Sequence, residues 1–344
     1  MHIFKRLLIS SLAGLLLTGL VIAAEVPLKA DHPDRYTVVK GDTLWDISSL
    51  FLQDPWRWSD IWYVNPQINN PHLIYPGDVL VLTYVNGKPR LQLQPGDLRL
   101  SPKVKSSPLE QAIPVIPIGE IDPFLRKPLI IEDGELDNMP YIVAFADEHV
   151  LGGAGQRMYV RQLDSAEKPR FNVVRKGGPY MDADTGEIIG YEAIDIAETV
   201  IQKIGDPATA LLLTTEQEVR VGDYLVQFDD DNVLTNFYPK APETDINGSV
   251  IDIIDGLAQA GQYNILALDK GADDGLKPGD VLDIMRKGAV IKDTVTADPH
   301  DTVKLPDEKS GLLMIFRTFD RVSYGIVLRS TQAVHLFDRV KNPQ

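Results

Sequence analysis

Hydrolysis or group transfer needs a nucleophile, a base or a metal, and this sequence is poor in all three. Cysteine is absent. That removes thiol nucleophiles, zinc-thiolate sites, a disulfide framework and a lipid-modified N-terminal Cys. Beyond residue 85 the histidines are His149, His300 and His335, with no helical or two-residue pairing that would ligate a metal. No serine occupies a Gly-x-Ser-x-Gly elbow. Glu187 and Glu192 fall on one expected strand at odd separation, so they face opposite sides of it. Asp182-Ala183-Asp184-Thr185-Gly186 starts like a calcium loop but lacks the remaining ligands, and a hairpin turn is the simpler reading. Asp229-Asp230-Asp231 reads as a solvated loop. The chemistry that remains is recognition, and its strongest signal lies in residues 36–82.

That segment reads as strand, helix, helix, strand. Tyr36-Thr37-Val38-Val39 is β-branched and aromatic, and Lys40-Gly41-Asp42 is a turn. Thr43 can cap a helix in which Leu44, Ile47, Leu50 and Phe51 recur at helical spacing and Asp46 sits in the first turn. Asp54-Pro55 is expected to open a second helix, with Asp as cap and Pro at the first helical position. Trp58, Ile61 and Trp62 form its apolar face, and Asn65-Pro66 ends it. Tyr75-Pro76-Gly77-Asp78 is turn chemistry before a second strand, Val79-Leu80-Val81-Leu82. All four Trp (45, 56, 58 and 62) fall in this small unit, where buried aromatics help to build a core.

The run Tyr36 to Ile47, followed by Ile61, Asn65-Pro66, Ile68 and Ile74 to Leu80, resembles the LysM domain. The departure is the insert Asp54-Pro55-Trp56-Arg57-Trp58, longer than in the shortest members. The resemblance implies a small α+β unit (βααβ) that binds N-acetylglucosamine-containing glycans, peptidoglycan or chitin. It also implies a groove between two loops. In this chain those are Gly41, Asp42, Thr43 and Leu44 on one side and the segment from Ile68 to Pro76 on the other, with Ile68, Asn69, Pro71, Leu73, Ile74, Tyr75 and Pro76 as candidate contacts. Physical chemistry is compatible with this: Gly41 permits close approach to backbone, and amides at a helix start are unpaired donors. An N-acetyl group offers one carbonyl and one N–H, which facing loops can satisfy while apolar side chains meet its methyl group. The alternative use of Leu44 and Ile74 is as core residues, and of Gly41 and Gly77 as turn residues.

The formal net charge is -15. A duplex nucleic-acid binder needs a basic face, and a polybasic lipid patch needs the same, so both roles are disfavoured. Lys5 and Arg6 precede an apolar stretch from Leu7 to Ile22, and small Ala23 and Ala24 precede Glu25. Residues 1–24 therefore read as a secretory signal peptide cut after Ala23 or Ala24, the alternative being an uncleaved anchor. Export places the rest in the periplasm. No later segment has eighteen consecutive apolar residues.

Nine prolines fall between residues 85 and 140. Residues 85–110 read as a spacer and 111–140 as an extended arm, too apolar at Ile113, Val115, Ile116 and Ile118 to be solvated, packed along the next domain or a partner. Beyond residue 140, β-branched runs alternate with Gly-Asp turns about every ten residues. The expected architecture is mostly β, as small barrels or sandwiches, with two possible subdomains at 141–240 and 245–344. Gly186–Val200 and Gly311–Leu328 read as long-strand hairpins of similar pattern. The stretches Leu151–Arg161, Gly186–Ala193 and Gly275–Leu282 resemble the region after LysM in the type IV pilus secretin-associated (TsaP) family, and the last is also similar to the C-terminal domain of flagellar assembly T proteins. That resemblance implies a cell-wall-associated periplasmic protein whose partner is an outer-membrane secretin ring. Two function classes follow: a non-catalytic, cofactor-free tether, favoured here, and a peptidoglycan-modifying enzyme with an unrecognised β catalytic domain.

Overall fold

The computed structural model describes residues 26–62, 74–94, 113–126, 130–132, 134–166, 168–227, 237–254, 258–296 and 300–343. The expected signal segment lies outside them. The chain is multidomain: a small α+β unit is followed by a mostly-β region with two closed sheets.

The N-terminal unit contains β1 (Arg35–Thr37), α1 (Leu44–Phe51), a 3-10 turn at Pro55–Arg57, α2 (Trp58–Ile61), β2 (Val79–Val85) and β3 (Lys88–Gln94). Its sheet has the order β1-β2-β3. Thr43 caps α1: its Oγ1 accepts from the Asp46 amide at 3.0 Å and donates to Asp46 Oδ2 at 2.7 Å. Leu44, Trp45, Ile47 and Phe51 point inward with Trp58, Ile61 and Leu80. Asp54 precedes the 3-10 turn but makes no side-chain cap, contrary to expectation; Pro55, which has no N–H, sets the turn by its fixed φ instead.

The proline-rich stretch differs from the expected spacer. Residues 88–94 are a strand, joined to β2 by Asn86-Gly87, both at positive φ (52° and 77°) as a tight hairpin requires. Pro89 is tolerated because β3 is an edge strand. The arm is not extended throughout: α3 spans Ile118–Arg126, starting just after Pro117. A short strand, β4 (Ile130–Ile131), follows.

The first closed sheet is built from β5 (Tyr141–Phe145), β7 (Arg157–Arg161), β8 (Arg170–Met181), β9 (Ile188–Lys203), β10 (Ala208–Thr215) and β12 (Tyr224–Gln227), with β6 (Leu151–Gly152) and β11 (Val219–Arg220) as a small side pair. The ring order is β10-β7-β5-β12-β8-β9, closed by β10 against β9. Ile142, Val160, Val173, Ile196, Leu212 and Leu225 make its core. Residues 186–200 are one long strand and its turn, not a hairpin; β9 exchanges hydrogen bonds with β8 and β10. The far ends of β8 and β9 run on past the ring as a ribbon tipped by the Asp182–Gly186 turn.

The second closed sheet is a barrel of β13 (Asn247–Ile253), β14 (Ile265–Leu268), β15 (Val281–Arg286), β18 (Glu308–Thr318), β19 (Ser323–Ser330) and β20 (Arg339–Lys341); β16 (Val290–Lys292) and β17 (Thr302–Lys304) form a separate exposed hairpin. Val250, Leu268, Leu282, Leu313, Ile315 and Val327 fill the barrel. The alternate residues Leu312, Met314, Phe316, Tyr324 and Ile326 are also buried, in one cluster that continues through Ile116 and Ile121 to the core of the N-terminal unit. Strands β18 and β19 are thus covered on both faces, which explains their unbroken apolar runs.

Among the described residues one Asp turn with a left-handed third position recurs five times. At Val39–Asp42, Tyr75–Asp78, Arg220–Asp223, Lys277–Asp280 and His335–Asp338 the Asp carboxylate accepts from the amide three residues back. Glycine holds the left-handed third position in four of them, at Gly41, Gly77, Gly222 and Gly279, while Phe337 holds it in the fifth.

Candidate functional site

The two loops predicted to form a groove are brought together. The Val38 amide donates to the Asp78 carbonyl and the Gly77 amide to the Val38 carbonyl, each at 2.8 Å. Gly41, at φ 100°, has no atom within 4 Å of where a Cβ would lie. Asp42 is committed to the turn: its Oδ2 accepts from the Val39 amide at 2.9 Å and from the Tyr36 hydroxyl at 3.0 Å. Burial, then that carboxylate, push the Tyr36 phenol pKa up. Thr43 is buried and occupied as the helix cap. Leu44 and Ile74 are each 1% exposed, so their side chains are core and only their backbone faces the groove. Tyr75 and Pro76 are half-buried at its rim. Ile68, Asn69, Pro71 and Leu73 lie outside the described residues.

Among the described residues, the polar groups that line the groove are main chain. A helix start leaves four amides without intrahelical partners. In α1 these are the amides of Thr43, Leu44, Trp45 and Asp46; the Ile47 amide makes the first intrahelical bond, to the Thr43 carbonyl, and the Asp46 amide is taken by Thr43 Oγ1. The Leu44 and Trp45 amides have their partners outside the helix. Across from them the Ile74 carbonyl is an acceptor. Two donors and one acceptor on apolar walls match an N-acetyl group, whose carbonyl accepts and whose amide donates.

The sequence reading missed what meets these groups. The Leu44 amide donates to the Pro114 carbonyl and the Trp45 amide to the Val115 carbonyl, both at 2.9 Å; the Ile113 amide donates to the Ile74 carbonyl at 2.8 Å. Ile113, Val115 and Ile116 are buried there and Pro114 is exposed. The apolar character of 113–116 was a legible sign of packing, but the surface it packs on was not. The second barrel adjoins the same place. The Tyr263 phenol lies near Asp46, and burial with the Asp46 and Glu120 charges pushes its pKa up. Arg329 donates to the Gln53 carbonyl at 3.2 Å and Arg317 to the Phe124 carbonyl at 3.1 Å.

In the C-terminal region, Asp182-Ala183-Asp184-Thr185-Gly186 is a hairpin turn between β8 and β9. Its carboxylates are spent on ion pairs with the barrel: Asp182 with Lys270 at 3.3 Å and Asp184 with Arg339 at 2.5 Å. Glu187 pairs with Arg321 at 3.0 Å, while burial pushes the Glu192 pKa up. His149, His300 and His335 are dispersed, and the described residues contain no group of three or more His, Cys, Asp or Glu placed to hold a metal.

Residues 36–83 match the LysM domain family. The N-terminal unit is thus a LysM domain, a binding module for peptidoglycan and related glycans rather than a catalytic one. The chain is also similar to "Uncharacterized protein YqbP" of Bacillus subtilis (strain 168), 43% identical over 58 residues. That match covers 14% of this chain and 26% of the relative, so the chain spans about a quarter of that protein's length.

Proposed function

We propose that the chain is an exported, non-catalytic tether of the cell envelope. The LysM domain grips N-acetylglucosamine-containing strands of peptidoglycan, and the two closed β sheets hold an envelope assembly. The observation that supports the first half is the coincidence of the LysM match with a groove whose backbone groups, the Leu44 and Trp45 amides and the Ile74 carbonyl, are of the kinds an N-acetyl group pairs with. The partner proposed for the second half is the outer-membrane secretin ring of a type IV pilus machine. It rests on the resemblance of the β region to the TsaP family and to flagellar assembly T proteins. Export to the periplasm through the 1–24 segment belongs to the same proposal. Several copies around a ring would add avidity, so weak sugar binding by each suffices.

The chain is expected to sediment with purified peptidoglycan sacculi, to be released by soluble penta-N-acetylchitopentaose, and to co-purify with a secretin from envelope extracts. Sedimentation without any co-purifying outer-membrane assembly would reduce the role to plain wall binding. Co-purification without sedimentation would remove the wall from it.

A further inference from the structure

The backbone groups suited to a glycan are already engaged by the chain's own residues 113–116. The segment supplies two carbonyls, of Pro114 and Val115, to the two outward amides of α1, and one amide, of Ile113, to the Ile74 carbonyl. An N-acetyl group would meet the same three groups with one carbonyl, whose two lone pairs can accept from both amides, and one N–H. The match extends to the apolar part: Ile113 and Val115 are 7% exposed and Ile116 is fully buried. A glycan in this groove and the segment cannot both use Leu44 N–H, Trp45 N–H and Ile74 C=O.

The segment is also held from behind. Ile116 and Ile121 share one cluster with Met314, Phe316 and Ile326 of the barrel wall. Arg317 holds the carbonyl of Phe124 in the helix that follows. Residues 113–116 therefore sit between the LysM domain and the barrel, tied to both.

We propose that residues 113–116 are an intramolecular strap that closes the LysM groove, so that wall binding requires the strap to lift and is coupled to loosening of the LysM–barrel contact. This rests on the reading that the groove takes glycan. The exchange is chemically even: the groove trades one set of carbonyl and amide partners for an equivalent set. A strap on the same chain competes at high effective concentration, and the apparent affinity falls by the fraction of molecules in which it is lifted. A force or partner that separates the barrel from the LysM domain raises that fraction. The affinity for the wall is then highest when the β region is engaged or under load.

Calorimetric titration of penta-N-acetylchitopentaose into the intact chain tests this. Two variants change the strap and leave every LysM residue in place. Val115→Asp with Ile116→Asp puts charge where the strap is buried; Ile113→Pro deletes the N–H given to Ile74 and trims the buried Ile113 side chain. Tryptophan emission, which reports the LysM domain alone, and far-UV circular dichroism establish that each is folded; Ile113→Pro carries the test if the double variant is not. The expected result is tighter binding, by about ten-fold or more for the double variant and a smaller gain for Ile113→Pro. Equal affinity in wild type and folded variants would overturn the strap and leave the glycan reading standing. Absence of binding by wild type and variants alike would remove the glycan reading, and the strap with it.

Discussion

The barrel is gripped on two sides by different chemistry. On one side the β8–β9 ribbon docks through charge and buried hydroxyls. Asp182, Asp184 and Glu187 pair with Lys270, Arg339 and Arg321, and the Ala183 amide donates to Asp269 at 3.1 Å. Behind them the Tyr324 hydroxyl donates to that of Tyr180 at 3.2 Å, and Tyr180 donates to Asp252 at 3.3 Å. On the other side the LysM domain meets the barrel through the apolar strap, which main-chain bonds hold to the groove, with Asp46 near Tyr263 and the Arg329 bond to the Gln53 carbonyl as polar contacts. The Asp182–Lys270 pair and the tyrosine hydroxyls are largely buried and costly to separate, because each group is left unsatisfied, while the more exposed Asp184 and Glu187 pairs add little. Amides and carbonyls of a groove can exchange one partner for another of the same kind. The first contact is built to stay and the second to be replaced.

The largest effect is expected where the fixed contact is most buried. Tyr324, fully buried and packed edge-on to Tyr180 and Phe319, should cost about 3–5 kcal/mol when changed to Ala, seen in the circular dichroism melt of the β region. Ile116→Ala should cost about 2 kcal/mol, the low end for a buried Ile, because the strap can settle. Its effect should appear in tryptophan emission while the β-region melt is unchanged, since every Trp lies in the LysM domain. If both probes shift together, the two contacts are not separable.

Asp42→Ala should destabilise the LysM domain by about 1 kcal/mol through its lost turn bonds, and Thr43→Ala by a similar amount through the lost cap. Folded variants of either kind should keep glycan affinity if the hydrogen bonds these side chains make in the turn and cap are their whole role; a selective loss of binding at full stability would keep them in the site.

Acid should loosen the ribbon contact before the strap. Burial pushes the Asp182 pKa up, but the Thr185 and Asp184 amides and the Lys270 charge outweigh it and bring it to about 2, against 3.8 unperturbed. A depressed carboxylate stabilises the fold above its unfolded pKa, so this contribution is present above about pH 3.8 and is lost as pH falls through about 2. Asp184, held low by its hydrogen bond with Arg339, acts in the same sense. Burial raises Asp269 and Glu192, which act in the opposite sense and blunt the loss. Intrinsic LysM emission should be less pH-sensitive over that window than the β-region melt.

The smallest effect concerns the turn shared by both regions. Phe337 is 56% exposed at φ 66°, where its four counterparts have Gly. Phe337→Gly should raise stability by up to about 1 kcal/mol in a thermal melt. A loss would show that the Phe337 ring makes a contact worth more than the strain.

The local rules read well from sequence. Thr43 announced its cap, the Gly-Asp steps their turns, and the LysM pattern its two loops, because each is decided within a few residues. What failed was decided at a distance. Asn86-Gly87 is a strong hairpin signal, but the surrounding prolines argued for a spacer, and only the edge position of β3 reconciles them. The unbroken run Leu312-Leu313-Met314-Ile315-Phe316 said that both faces of a strand are covered, without saying by what. Asp42 and Thr43 looked like ligands because turn and cap residues use the same polar atoms as ligand contacts. The groups proposed to meet the glycan are amides and a carbonyl, which no side-chain identity encodes.

The central claim is that a glycan replaces the strap in the LysM groove. Single-amide hydrogen exchange of the intact chain, with and without penta-N-acetylchitopentaose, tests it most directly. The account predicts that Leu44 and Trp45 stay protected on binding, having exchanged one carbonyl partner for another, while Ile113 loses protection as it leaves Ile74. Glycan binding that leaves Ile113 as protected as before would contradict it.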